Sequence, residues 1–237
     1  MNRSIRFAIA GVAVAACASV GLAAPVWAAG PVSAAVQART LSAIKDNAAS
    51  AISLRLSALT TTMDAVKTNS WLTAADKSTL LNTLGNDQSG LTALAPTIQA
   101  DTTVVQARSD YKSIFQSYRV FLLAIPQARL SAATDDITGG ALLRLTDAKN
   151  RLTGLLSGVD LAKDTPAVQA LMSDLASKIQ AVTTATSGLS ASILALTPSE
   201  FDANYTVLAT PRETLLTSRS NLIAARTDVV TVIGDIK

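Results

Sequence analysis

The sequence predicts an all-α protein: an antiparallel up-and-down helical bundle of four to six long, partly kinked helices. Three observations carry this. Apolar residues recur every third or fourth position over long stretches. Ala, Leu and Thr dominate, while aromatic residues are only 4% of the chain, which suits helices packed closely side by side and suits a β-sandwich poorly. Finally, Thr-Pro and Asp-Thr start signals recur at intervals that leave only short connections, and short connections make neighbouring helices antiparallel.

Taken in order, the first helix is expected from Pro31 to about Thr68, with a seam of Leu41, Ile44, Ala48, Ile52, Leu56, Leu59, Met63 and Val66. It would reach about 55 Å. A turn at Asn69-Ser70-Trp71-Leu72 follows, and Thr73 caps a second helix with Asp76 three residues on. That helix carries Leu80, Leu84, Leu91, Leu94 and Ile98, and Gly85 and Gly90 loosen it. Asp101-Thr102-Thr103 marks a restart into a third helix with Val105, Tyr111, Ile114, Tyr118, Leu122 and Ile125. This third helix meets Pro126, where a kink is expected before the helix resumes to Ile137.

Gly139-Gly140 either ends that helix or marks a close approach of backbones. The seam continues through Leu142, Leu145, Leu152, Leu156 and Val159, and Asp164-Thr165-Pro166 starts a new helix with Pro at its first position. A heptad seam then runs from Val168 through Leu175, Ile179, Val182 and Leu189 to Leu196. Thr197-Pro198-Ser199-Glu200 and Thr210-Pro211-Arg212-Glu213 both read as a Thr cap, Pro at the first helical position and Glu at the third. The first opens a short helix holding Phe201, Tyr205 and Leu208. The second opens the last helix, with Leu215, Leu222, Val229, Ile233 and Ile236.

The N-terminus reads as a signal peptide over residues 1–28, which leaves 29–237 as a single helical domain. Arg3 and Arg6 form a positive start, Phe7 to Leu22 is an uncharged apolar run, and Val26-Trp27-Ala28 follows Pro25 as a cleavage site after Ala28. The expected location is therefore secreted or associated with the cell envelope. An alternative is a lipoprotein, because Val14-Ala15-Ala16-Cys17 resembles a lipobox that would anchor the chain at Cys17. The full chain has 20 Lys and Arg against 17 Asp and Glu, and removal of residues 1–28 leaves 18 against 17. No basic run of the nucleic-acid-binding kind occurs after that segment, so no nucleic-acid partner is expected. No later stretch approaches the apolar length of a transmembrane helix.

Ser117-Tyr118-Arg119-Val120-Phe121, leading into Ile125-Pro126-Gln127 and Arg129-Leu130, resembles a motif in a family of uncharacterised secreted helical proteins of actinobacteria and related bacteria. Leu72-Thr73-Ala74-Ala75-Asp76 and Thr197-Pro198 with Phe201-Asp202-Ala203-Asn204 are similar to the same family, from about residue 40 to the end. Phe121 stands where the family pattern has a second Tyr. The resemblance implies a secreted helical protein and brings no activity with it.

Catalytic chemistry has little to draw on. The chain has no His, and its one Cys lies in the N-terminal segment, so the commonest general base and a thiol nucleophile are missing from residues 29–237. Zinc ligation normally uses those same residues, and no cofactor is expected. Of the carboxylates, Asp135 and Asp136 are adjacent and read as capping or solvated surface. Asp160 and Asp164 lack the pattern of a calcium loop. Gly154 and Gly158, at four-residue spacing, read as small residues permitting close helix contact.

The most informative cluster is aromatic and basic. Tyr111, Phe115 and Tyr118 lie on one helical face with Arg108, Lys112 and Arg119 on its flank, just before Pro126. These residues anchor the bundle, with the basic stems lying over the aromatic rings; or they line a partner or ligand groove that the Pro126 kink opens, with Arg119 as its polar contact. On the first account Arg119→Ala would be nearly silent. The functional expectation is a non-catalytic exported protein, a structural or interaction module with an unknown protein or envelope partner. The alternative is a binder of lipid or another apolar ligand between amphipathic helices.

Overall fold

The computed structural model describes residues 33–158 and 160–237. The expected signal segment, Cys17 and Val159 lie outside the described residues. Every regular element among the described residues is helical, and no strand occurs. Four helices are long: α1 (Ala34–Thr68), α2 (Ala74–Ala100), α6 (Pro166–Thr186) and α9 (Ala209–Ile236), of 35, 27, 21 and 28 residues. Between them come α3 (Val104–Gln116), α4 (Ile125–Asp136), α5 (Leu143–Leu156), and the short α7 (Leu189–Leu194) and α8 (Pro198–Ala203).

The helix starts follow local chemistry. At α2, α3, α6 and α8 the hydroxyls of Thr73, Thr103, Thr165 and Thr197 accept the backbone N–H three residues on. At Thr197 the Glu200 carboxylate reaches back to the Thr197 N–H at 2.8 Å and completes a reciprocal cap. Bonds from Thr197 hold the Glu200 carboxyl below its usual range, the backbone N–H first and the hydroxyl second. Ser33 caps α1, so that helix begins three residues after Pro31. Its other end is closed by Lys77 of α2, whose Nζ donates to the carbonyls of Lys67 and Asn69 at 3.1 and 2.9 Å. Pro96 sits inside α2 on its exposed side, as does Thr92, whose carbonyl loses its usual donor to the proline.

α1 and α2 run antiparallel. Lys45 and Gln99 exchange side-chain bonds near one end, Gln88 reaches Thr60 midway, and Lys77 reaches Lys67 at the other. Their seam, Ala48, Ile52, Leu59 and Val66 against Leu80, Leu84, Leu91 and Ile98, joins Ile114, Val120, Ala124 and Ala128 in one buried cluster. A second cluster gathers Ile137, Leu142 and Leu145 with Leu175, Ile179 and Val182 of α6 and Leu215, Leu222 and Ala225 of α9. α6 packs on α9 over most of its length. At the far end Leu152, Leu156, Val168 and Val232 close a third cluster.

α4 ties the first cluster to the second. Its buried Gln127 donates from one amide nitrogen to the carbonyls of Ile193 and Leu196, both at 2.8 Å, and so closes the end of α7. At its other end the buried Asp135 accepts the Thr73 N–H at 2.9 Å, while Ser190 of α7 bonds to Asp76 of α2. Burial pushes the Asp135 carboxyl up, the Thr73 N–H opposes it, and Asp76 adds to the rise.

Several sequence expectations are corrected here. The third helix does not run unbroken to a kink at Pro126. It ends at Gln116, Arg119 turns left-handed, and a π-turn (Val120–Ala124) leads into α4 with Pro126 in its first turn. Gly139-Gly140 does not end a helix either: a second π-turn (Ile137–Leu142) carries the chain from α4 into α5. The close approach there is to a side chain, since a β-carbon on Gly140 would stand 3.1 Å from the Trp71 ring. The heptad seam from Val168 breaks after Thr186, where Gly188 takes φ 68° and starts α7 afresh.

α9 begins at Ala209, one residue before Thr210, because the turn at Asn204–Leu208 winds straight into it. Thr210 therefore caps nothing, and Tyr205 and Leu208 lie beyond the end of α8. Within α9, Val232 rather than Ile233 is buried. Nothing stands within 4 Å of a β-carbon on Gly154, so its four-residue spacing to Gly158 makes no close helix contact. Asp135 is buried rather than solvated, though its role is still to cap, across elements.

Candidate functional site at the α3–α4 joint

The residues singled out from sequence converge on the break between α3 and α4. Tyr111 and Phe115 meet edge to face, with ring centroids 5.1 Å apart. Beneath them is a residue that carries no signal in the sequence. Arg55 of α1 is 9% exposed, with its guanidinium carbon 4.3 Å from the Phe115 ring centroid and 5.2 Å from that of Phe121. It also donates to the Ala51 carbonyl at 3.0 Å. Burial lowers the Arg55 pKa and Tyr111 pulls it back, yet an arginine so placed keeps its charge. A buried cation held between aromatic faces gains most where water is excluded.

Tyr118 extends the aromatic row and lies against Gly90 of α2, so only a residue with no β-carbon fits opposite its ring. One turn earlier on α2 is Asp87, half-buried, whose carboxyl is pushed up to about 6 by burial. Burial also raises the Tyr118 hydroxyl, and Asp87 raises it further.

Arg119 adopts φ 42° and ψ 34°, a left-handed conformation that costs a residue with a side chain about 1–2 kcal/mol. Its carbonyl collects the N–H groups of Leu122, Leu123 and Ala124 at 3.1, 2.7 and 3.4 Å, and the Ile125 N–H reaches back to Val120. This widened turn brings in Pro126 without the clash that an α-turn would impose on the proline ring. The Arg119 side chain is 12% exposed and forms an ion pair with Asp202 of α8. Beside Asp202, the buried Phe201 stacks edge to face on Tyr205, with centroids 5.4 Å apart.

The joint therefore gathers Tyr111, Phe115, Tyr118 and Arg119, together with Arg55, Asp87, Gly90 and Asp202, from α1, α2, α3, the break after α3, and α8. Pro126 belongs to the first turn of α4 and carries no part of the break. Arg119 is turned inward, and the groups left outward are Phe121 and Leu122 on the π-turn, 41% and 52% exposed, and Tyr205, 66% exposed. Arg55 had no local signal, and the Phe201–Asn204 stretch gave no sign that Asp202 would pair with Arg119, since both residues come from elements distant from the joint in sequence. Two open hollows lie elsewhere. One of about 570 Å³ lies between the start of α1 and the start of α3, lined by Ala34, Ala38, Leu41, Val104, Val105 and Arg108. The other, of about 430 Å³, lies beside Leu56 and Gln88. Among the described residues no group of His, Cys, Asp and Glu is placed to hold a metal ion, and no helix is long and apolar enough to cross a membrane.

No protein-family model, no curated protein and no solved structure matches this chain.

Proposed function

We propose that this chain is a non-catalytic, exported interaction module whose partner docks on the α3–α4 joint. The observation that carries this is the pair Phe121 and Leu122, adjacent apolar side chains held outward on a π-turn that is anchored from below. Arg119 is fixed by Asp202, and Arg55 fills the space behind Phe121, so the surface is pre-organised and loses little freedom on binding. Aromatic anchors of this kind dominate protein interfaces. The two arginines of the joint support the non-catalytic reading, because Arg55 is taken up by the Phe115 and Phe121 rings and Arg119 by Asp202. Export rests on the N-terminal pattern of residues 1–28 and on the resemblance of Ser117–Phe121 to secreted helical proteins.

Native mass spectrometry of protein recovered from its producing organism tests this. A bound protein lost on Phe121→Ala with Leu122→Ser supports it; a partner retained in that variant, or a monomer alone, refutes it. A second reading, an apolar ligand between helices, draws on the hollow between α1 and α3, whose volume lies within the range of small-molecule sites. A co-purifying lipid in the same spectra would favour that one.

A further inference from the structure

α9 leaves a row of aliphatic side chains without cover. Leu216, Ile223 and Val230, seven residues apart, are 59%, 69% and 62% exposed, and Ile233, 37% exposed, lies beside the end of the row. Its opposite side, Leu215, Leu222, Ala225 and Val232, is the buried one. Three residues after Leu216 and after Ile223 come Arg219 and Arg226, both exposed, and Arg212 precedes them at the same spacing. At about 100° per residue these arginines form a line directly beside the aliphatic row. Between Glu213 and Asp235 the only carboxylate on α9 is Asp228, which is buried and bonded to Lys178 at 2.7 Å. None of the three arginines makes an ion pair among the described residues.

We infer that this row of α9 docks on an anionic phospholipid surface. The geometry favours a bilayer over the other occupants. A second copy pairing through the same row would bring Arg219 and Arg226 of both chains together around the axis, with no carboxylate to relieve them, and like charges so placed oppose association. A protein partner is usually held through aromatic anchors in a shaped pocket, whereas this row is straight, aliphatic and about 20 Å long from Leu216 to Val230. A bilayer surface needs no pocket. Partly exposed aliphatics enter the headgroup boundary while the neighbouring guanidiniums meet lipid phosphates. No described helix can span a membrane, so the contact lies at the surface. It does not depend on the joint described above: a partner at Phe121 and lipid at α9 are lost through different substitutions.

Co-sedimentation with vesicles tests this, using the full chain and its variants side by side so that any contribution of residues 1–32 is common to all. With about 30 mol% phosphatidylglycerol in phosphatidylcholine, binding should fall about tenfold in Arg219→Glu/Arg226→Glu and by a similar factor in Ile223→Ser/Val230→Ser, and should weaken in about 0.5 M salt. Arg151→Glu, an exposed change on α5, should bind as the wild type does. If either double variant melts early, Ile223→Ala takes its place. Equal sedimentation of the wild type and both double variants would overturn the inference. So would a wild-type dimer that Ile223→Ser/Val230→Ser dissociates, since a second copy would then be what covers the row.

Discussion

Tyr118 lies so close across Gly90 that a β-carbon on Gly90 would stand 2.6 Å from both the ring edge and the hydroxyl. α2 and the bend that follows α3 thus meet through one residue that has no side chain and one that has a large one. An alanine in mid-helix normally stabilises by up to about 1 kcal/mol relative to glycine. At Gly90 that gain is outweighed by overpacking, typically about 1–3 kcal/mol. Gly90→Ala should lower the melting temperature, and Gly85→Ala, with nothing within 4 Å of its β-carbon, should raise it. In a Tyr118→Ala background the sign at Gly90 should reverse, which thermal melts of the single and double variants would reveal.

Arg119→Ala removes an ion pair from a largely buried site while leaving the left-handed backbone strained. We expect a loss of about 2 kcal/mol, below the range for fully buried pairs because Asp202 keeps some solvent contact. Arg119→Gly loses the same pair but relaxes the backbone, so it should be less damaging by about 1 kcal/mol. Urea unfolding of both variants orders them. Glycine as the worse substitution would mean that the φ of 42° carries no strain.

The raised carboxyl of Asp87 makes stability depend on pH. Its folded value is about 6 and its unfolded value is about 3.9, so the unfolded chain releases this proton first as pH rises. The contribution is present in full below about pH 4 and is lost as pH climbs through about 6, amounting to about 1–2 kcal/mol once its partial exposure is allowed for. Asp135, also raised by burial, acts in the same direction. Melting temperatures across that window should fall less steeply in Asp87→Asn than in the wild type.

Lys178 bridges α6 and α9 by bonding Asp174 at 2.6 Å and Asp228 at 2.7 Å, and these bonds, Asp174 first, raise its pKa. The two carboxylates differ in setting: Asp174 is 56% exposed and Asp228 only 10%. Asp174→Asn should change stability by less than about 0.5 kcal/mol. Lys178→Met, which strands the buried Asp228, should cost about 2–3 kcal/mol. Adding Asp228→Leu should recover much of that loss in chemical denaturation.

The features legible in the sequence were local ones. The caps at Thr73, Thr103, Thr165 and Thr197 each close on an N–H three residues away, and so each was legible without a fold. The seams of α1 and α2 were legible for the same reason. The break at Arg119 was not, because no glycine marks it and the nearby Pro126 offered a more conventional cause. Arg55 reads as an ordinary polar position on α1 until Phe115 and Phe121, distant along the chain, close over it. Arg119 likewise gained its partner Asp202 only through the fold, and that pair is why we expect its substitution to be costly where the bundle-anchor account from sequence expected it to be nearly silent.

The two π-turns on either side of α4 bear on how this chain could vary in length. A turn closed by i→i+5 bonds takes up one residue more than an α-turn, and each extra residue rotates the succeeding helix by about 100°. Across residues 120–124 and 137–142 the chain therefore resets which face of the next helix points inward. A deletion of one residue there would tighten a wide turn into an ordinary one and could be absorbed by the adjoining segment. The same deletion in the middle of α1 or α9 would swing half of an uninterrupted seam out of the core. Related sequences should accordingly place their single-residue gaps at the flanks of α4 and keep the long helices free of them.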